Sequence, residues 1–268
     1  MLKFKYLDNM SLQIKTMSDW KIEGEEPEIL FWVGSAGSFD DRAKKITRAF
    51  VKIMNQANVQ FGVLGVEESA SGDVAKRAGN EFLFQMQAMM NIEVMNKYNV
   101  TKIVTTCPHD FNTIKNEYQS LGGDYEVYHH TEFICQLIED KRFVISNNFN
   151  KNKITYHDPC YLGRGNNIFN APRKLIKLLG LDLVEMKRSK ATSFCCGAGG
   201  AQMFKEPEKG REDININRTR EALATNVNVI ATGCPFCNTM MRDGVKYLAE
   251  DSAQVLDIAE IIVKLEKL

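Results

Sequence analysis

The segment Thr106-Cys107-Pro108-His109-Asp110-Phe111-Asn112-Thr113 returns, with substitutions, as Gly233-Cys234-Pro235-Phe236-Cys237-Asn238-Thr239, and the offset is 127 residues. Self-similarity at so long a period means two copies of one folding unit rather than a single irregular core. Two further strand ends align within a shift of two residues. Ser35 lies 125 residues before Cys160, and Ser69 and Ala70 lie 126 before Cys195 and Cys196. One copy therefore carries five cysteines at these positions. The other carries Ser35, Ser69, Ala70, Cys107 and Asp110.

Each of these positions follows a stretch that reads as a buried strand. Ile29-Leu30-Phe31-Trp32-Val33 is an apolar run closed by Gly34, and Phe61 to Leu64 and Lys102 to Val104 are two more. Asp40 and Asp41 can cap a helix with Ala43, Ile46, Phe50, Ile53 and Ala57 on one face. A second helix, from about Asn80 to Tyr98, places Phe82, Met86, Met89 or Met90, and Met95 at helical spacing, a stripe expected to pack in the core. In the other copy, Lys153 to Tyr156, Leu181 to Met186 and Val227 to Ala231 are the strands. Helices fall at Pro172 to Gly180, with Leu175, Ile176 and Leu179 inward, and at Ile214 to Ala224. Strand alternating with helix predicts an α/β protein of two pseudo-repeated Rossmann-like lobes, each a small parallel sheet flanked by helices. The expected organisation is an N-terminal arm or linker over 1–27, a degenerate lobe over 28–150 and an intact lobe over 151–268.

Composition narrows the chemistry. Thirty-four basic residues balance thirty-four acidic ones among 268, so there is no broad positive field for nucleic acid. No apolar stretch is long enough for direct membrane insertion, and Met1 to Met17 mixes Lys and Asp through its apolar residues, unlike a secretory signal. The expectation is a cytoplasmic protein, peripheral to the inner membrane at most through a partner. In that reducing compartment seven cysteines, an odd number, point to metal binding or thiol chemistry rather than to disulfides. Cys160, thirty-four residues, Cys195-Cys196, thirty-seven residues, then Cys234-x-x-Cys237 brings five sulfurs to the carboxyl edge of one parallel sheet. Gly197-Ala198-Gly199-Gly200 lets backbone approach a bulky group there. Four sulfurs would suit zinc or iron–sulfur, whereas five, with an adjacent pair, favour a polynuclear cluster.

Asp158-Pro159-Cys160-Tyr161-Leu162-Gly163, Cys195-Cys196-Gly197 and Gly233-Cys234-Pro235-Phe236-Cys237 resemble the motifs of the cysteine-rich CCG domain family, as in heterodisulfide reductase and the iron–sulfur subunit of glycolate oxidase. That resemblance implies one non-cubane [4Fe-4S] cluster held by Cys160, Cys195, Cys196, Cys234 and Cys237. It also implies electron transfer as the iron–sulfur subunit of an oxidoreductase complex. Phe31-Trp32-Val33-Gly34, Ala78-Gly79-Asn80-Glu81-Phe82-Leu83-Phe84-Gln85-Met86-Gln87 and His157-Asp158-Pro159-Cys160 look like one branch of the family, whose other half carries ferredoxin-type clusters and a membrane segment. A ferredoxin-domain iron–sulfur or membrane subunit, or a flavoprotein, is the partner this implies.

The first copy departs from the family pattern at Ser35, Ser69, Ala70 and Asp110, which argues against a second cluster and for an empty structural lobe. Cys107, Asp110 and His109 would make only a thin zinc site. The competing reading of the whole chain is an assembly or docking subunit, zinc-stabilised or metal-free, without redox activity. Outside the pattern, Cys135 reads as a buried inert thiol and His129-His130 as structural, since adjacent residues diverge. His157 is a candidate neighbour of the cluster or a core residue, and Arg164, Lys187 and Arg188 are either solvated or set against an anionic group.

Overall fold

The computed structural model describes residues 12, 14–146, 152–206, 209–248 and 252–268. Among the described residues, nine strands form two sheets, and every pairing is parallel. In the first, β1 (Lys15–Thr16), β2 (Ile29–Trp32), β3 (Phe61–Val63), β4 (Lys102–Thr105) and β5 (Glu126–His129) lie in the order β1-β3-β2-β4-β5. The second runs β7-β6-β8-β9, built from β6 (Lys153–Tyr156), β7 (Asp182–Leu183), β8 (Val229–Thr232) and β9 (Gln254–Asp257). Setting β1 aside, both sheets follow one winding, in which the first strand of the lobe sits between its second and third. The chain thus reverses its direction of travel between β2 and β4, and again between β6 and β8. Such switch points open a crevice at the carboxyl ends of the strands.

The two lobes share apolar packing. Phe31, Phe50, Ile53 and Met54 of the first lobe belong to the same buried cluster as Ile154, Leu175, Ile258 and Ile262 of the second. The helix Ala43–Gln56 packs along the helix Ile258–Glu266, and Arg42 forks onto Glu260 at 2.8 and 2.6 Å. The expected cap at Asp40 forms, its carboxylate accepting from the Ala43 N–H at 2.7 Å.

Three expectations change. Within the region read as a featureless arm lie β1 and a helix, Met17–Glu23, which starts on a reciprocal cap. The Thr16 hydroxyl accepts from the Asp19 N–H at 3.1 Å, and the Asp19 carboxylate accepts from the Thr16 N–H at 2.9 Å. Seven residues are too few for a periodic signal. The strand read over Leu181 to Met186 contracts to two residues, because the chain leaves the sheet edge towards the cysteine loop. The methionine stripe is not core: in the helix Glu81–Lys97 only Met95 is buried, while Met86, Met89, Met90 and Phe82 are exposed. Phe84, Ala88, Asn91 and Ile92 face inward instead.

Candidate metal centre

Three segments leave the carboxyl edge of the second sheet at or beside its switch point. β6 ends at Tyr156 and runs through His157 and Asp158 to Cys160. β8 ends at Thr232, two residues before Cys234, and the helix Pro235–Leu248 starts at once with Cys237 in its first turn. Proline suits that opening position because its missing N–H would have had no helical partner. The third segment follows β7 and carries Cys195 and Cys196. At Gly197 the backbone turns through φ +91°, a conformation that strains any residue with a Cβ, and its N–H donates to the Cys195 sulfur at 3.3 Å.

The five sulfurs lie in a sequence of contacts. Cys160 meets Cys195, Cys195 meets Cys196, Cys196 lies 3.3 Å from Cys237, and Cys237 meets Cys234. Cys107, from the other lobe, continues the row by contacting Cys234. Among the described residues, only His157, Cys196 and Cys237 bring three ligand atoms within 4.8 Å of one another. A zinc tetrahedron with bonds of about 2.3 Å would need four sulfurs mutually about 3.8 Å apart. The row does not close in that way.

Two thiols of the row, Cys195 and Cys234, are pulled down, and Cys160, Cys196 and Cys237 are pushed up. Hydrogen bonds from the Cys160 and Cys196 thiols, with the Gly197 N–H, hold Cys195 far below the ordinary thiol range despite its burial. Burial opposes ionisation of Cys234, yet donors on Cys107, Cys237 and His109 outweigh it and pull that thiol down. Their partners Cys160, Cys196 and Cys237 are pushed up in return, as donors beside a thiolate. A low-pKa sulfur is the form that binds metal.

A set of buried polar contacts fixes this edge. Asp158 is gripped by Arg173 through two hydrogen bonds of 2.8 and 2.9 Å and accepts from the Lys190 N–H at 2.8 Å. Arg218 is fully buried, donating to His157 Nδ1 at 3.0 Å, to the Arg188 carbonyl at 2.9 Å and to Glu221 at 3.1 Å. Burial, then the nearby Arg218 cation, drives His157 down to about 3, so its ring is neutral. The first lobe contributes His109, whose Nδ1 meets Asp73 at 3.0 Å and whose ring lies 4.5 Å from that of Tyr161. Burial lowers the His109 pKa, but Asp73 and Cys234 overcome it and raise it to about 10. His129 Nε2–H donates to the Gly233 carbonyl at 3.0 Å and so braces the peptide just before Cys234.

The candidates read from sequence divide accordingly. The five cysteines share one edge. Cys107 and His109 turn towards it, against Cys234. Cys135 is a buried thiol away from it, and His130 pairs with Asp257 at 3.0 Å in the interior. Arg188 stacks on Phe194 and pairs with Glu221, Arg164 donates to the Ser193 carbonyl, and Lys187 is exposed. Sequence reasoning missed Arg218 and Asp73. The available signal for Arg218 was an arginine in register with Ala222 on the buried face of the helix Ile214–Leu223.

In the first lobe the equivalent pocket is filled by carboxylates. Glu68 accepts the N–H groups of Val33 and Gly34 at 3.0 and 2.7 Å, and Ser71 donates to Asp110 at 2.5 Å. Gly34 is required here: a Cβ on it would fall 2.4 Å from an Asp110 oxygen. Withdrawal from water raises the Glu68 pKa to about 8 and that of Asp110 to about 6. Ser69 is occupied with Asn91.

The profile of the cysteine-rich domain called CCG matches residues 29–115 and 154–242, one match in each lobe. The chain belongs to that family. Among curated proteins it is 47% identical over 254 residues to the "Probable iron-sulfur-binding oxidoreductase FadF" of Bacillus subtilis, covering 94% of this chain and 36% of the relative. It is 44% identical over 249 residues to the "EtfAB:quinone oxidoreductase" of Syntrophomonas wolfei, covering 90% and 35%. It is 32% identical over 257 residues to a subunit of the dihydromethanophenazine:CoB–CoM heterodisulfide reductase of Methanosarcina barkeri, covering 92% and 60%. The chain thus spans about a third of the first two relatives and three-fifths of the last. No helix among the described residues is long and apolar enough to cross a membrane.

Proposed function

We propose that this chain is the cluster-bearing part of an iron–sulfur oxidoreductase, with one non-cubane [4Fe-4S] cluster held by Cys160, Cys195, Cys196, Cys234 and Cys237. The observation that carries the reading is the row of five contacting sulfurs at the β6/β8 switch point, two of them stabilised as thiolates. Five sulfurs, with Cys195 and Cys196 adjacent, offer more ligands than one tetrahedral ion takes and would suit a polynuclear cluster. Such a cluster supplies one-electron transfer. The chain's own residues hold the thiolates by N–H donors, pack Phe236 and Met240 against them, and anchor their loops through Asp158, Arg173 and His129.

The same reading assigns the carboxylate-filled first lobe a structural role, with one cluster per chain. Electrons would pass between a ferredoxin-type or flavin partner and an acceptor. A relative named an EtfAB:quinone oxidoreductase supports a partner of that kind, and one named a probable membrane-anchored ferredoxin, from Chromohalobacter salexigens, supports a position at the membrane surface held by a partner. Anaerobic purification followed by metal and acid-labile sulfide analysis tests the proposal. About four irons with matching sulfide per chain is the expected result. Zinc without sulfide would overturn it in favour of a docking subunit.

A further inference from the structure

His157 lies in the fully buried wall of the sulfur row, and a ring nitrogen of it is within 4.8 Å of the sulfurs of both Cys196 and Cys237. Read by distance alone, it is a sixth ligand. Its hydrogen bonds say otherwise. Arg218 Nε donates to His157 Nδ1 at 3.0 Å. A guanidinium has donors only and does not give up its protons in proteins, so Nδ1 must present its lone pair to Arg218. The proton of the neutral ring then sits on Nε2. That atom is buried and has no partner among the described residues. A ring nitrogen bearing a proton has no lone pair for iron, but it is a donor, and an orphaned buried donor is costly unless something accepts from it.

We propose that His157 is a hydrogen-bond donor to the sulfur of the bound cluster rather than a ligand of its iron, with Arg218 setting the tautomer. Arg218 is itself immobilised by the Arg188 carbonyl, Glu221 and the Ser193 hydroxyl, so the ring cannot exchange roles by a simple flip. An N–H aimed at cluster sulfur stabilises the more negative, reduced state and raises the reduction potential. This inference rests on the cluster reading above.

The test compares anaerobically purified wild type, His157→Phe and His157→Gln by iron and sulfide content, by redox titration followed with paramagnetic resonance, and by pulsed resonance on ¹⁵N-histidine-labelled wild type. In His157→Phe the iron content should stay at the wild-type value while the midpoint potential moves to a more negative one. His157→Gln, which keeps an N–H donor, should recover most of that shift. The labelled wild type should show a weak nitrogen coupling of the kind carried through a hydrogen bond. A strong, directly coordinated nitrogen coupling would overturn the proposal, as would loss of one iron in His157→Gln or an unchanged potential in His157→Phe. Should His157→Phe fail to fold, the labelled wild type and His157→Gln decide. Wild type lacking acid-labile sulfide would remove the cluster reading itself and His157's role with it, whereas a normal wild-type cluster with an unmoved potential would remove only the latter.

Discussion

Glu68 and Asp110 place carboxyl groups at the sheet edge of the first lobe that corresponds to the cysteine edge of the second. Where the intact lobe has thiolates, the first has two carboxyl groups, one on the Val33 and Gly34 N–H groups and the other on Ser71. These contacts satisfy the Val33 and Gly34 backbone donors at the strand end. Burial keeps Glu68 protonated up to about pH 8, whereas an unfolded chain releases that proton near the ordinary carboxyl value. Between those two values the native state binds more protons than the unfolded one, so its stability falls as pH rises. The contribution is whole below the unfolded pKa and gone above the folded one. Glu68→Gln should therefore flatten the decline in melting temperature between about pH 5 and pH 9, measured on the metal-free chain. An unaltered slope would place the titration elsewhere.

At the scale of the element, the helix Glu81–Lys97 is instructive because its apolar pattern misleads. Methionine and phenylalanine occur on both faces, so periodicity alone cannot say which face is inside. The helix turns Phe84, Ala88, Ile92 and Met95 inward, and Met86 is 45% exposed whereas Met95 is 0%. Met95→Ala should cost about 2–5 kcal/mol in chemical denaturation, as for other fully buried long apolar side chains. Met86→Ala should stay within about 0.5 kcal/mol. Equal losses would reverse the orientation of the helix. Its neighbour Met17–Glu23 depends on a different device, the Thr16–Asp19 cap. Thr16→Ala should destabilise it by about 1 kcal/mol.

For the whole molecule, the shared core decides how the lobes behave. Phe50 and Phe31 pack in one cluster with Leu175 and Ile258, and His130 of the first lobe is buried against Asp257 of the second. Both tryptophans, Trp20 and Trp32, belong to the first lobe, so their fluorescence reports on that lobe alone. Leu175→Ala, in the second lobe, should lower the fluorescence midpoint in denaturant by the same amount as the midpoint from circular dichroism. Two separated transitions would mean that the lobes unfold independently.

Alternation of short apolar runs with helical periods, the 127-residue offset and the spacing of Cys160, Cys195, Cys196, Cys234 and Cys237 are local properties of the polymer, so the α/β class, the two lobes and the family motifs were readable in order along the chain. Burial of one helix face rather than another, the partners of Arg218 and Asp73, and the turning of Cys107 and His109 towards Cys234 were not, because each depends on groups far away in sequence. Glu68 shows the difference most plainly. Beside Glu67 it reads as one more charged surface residue, and only the approach of β2 from thirty-four residues away gives its carboxylate two backbone donors and withdraws it from water.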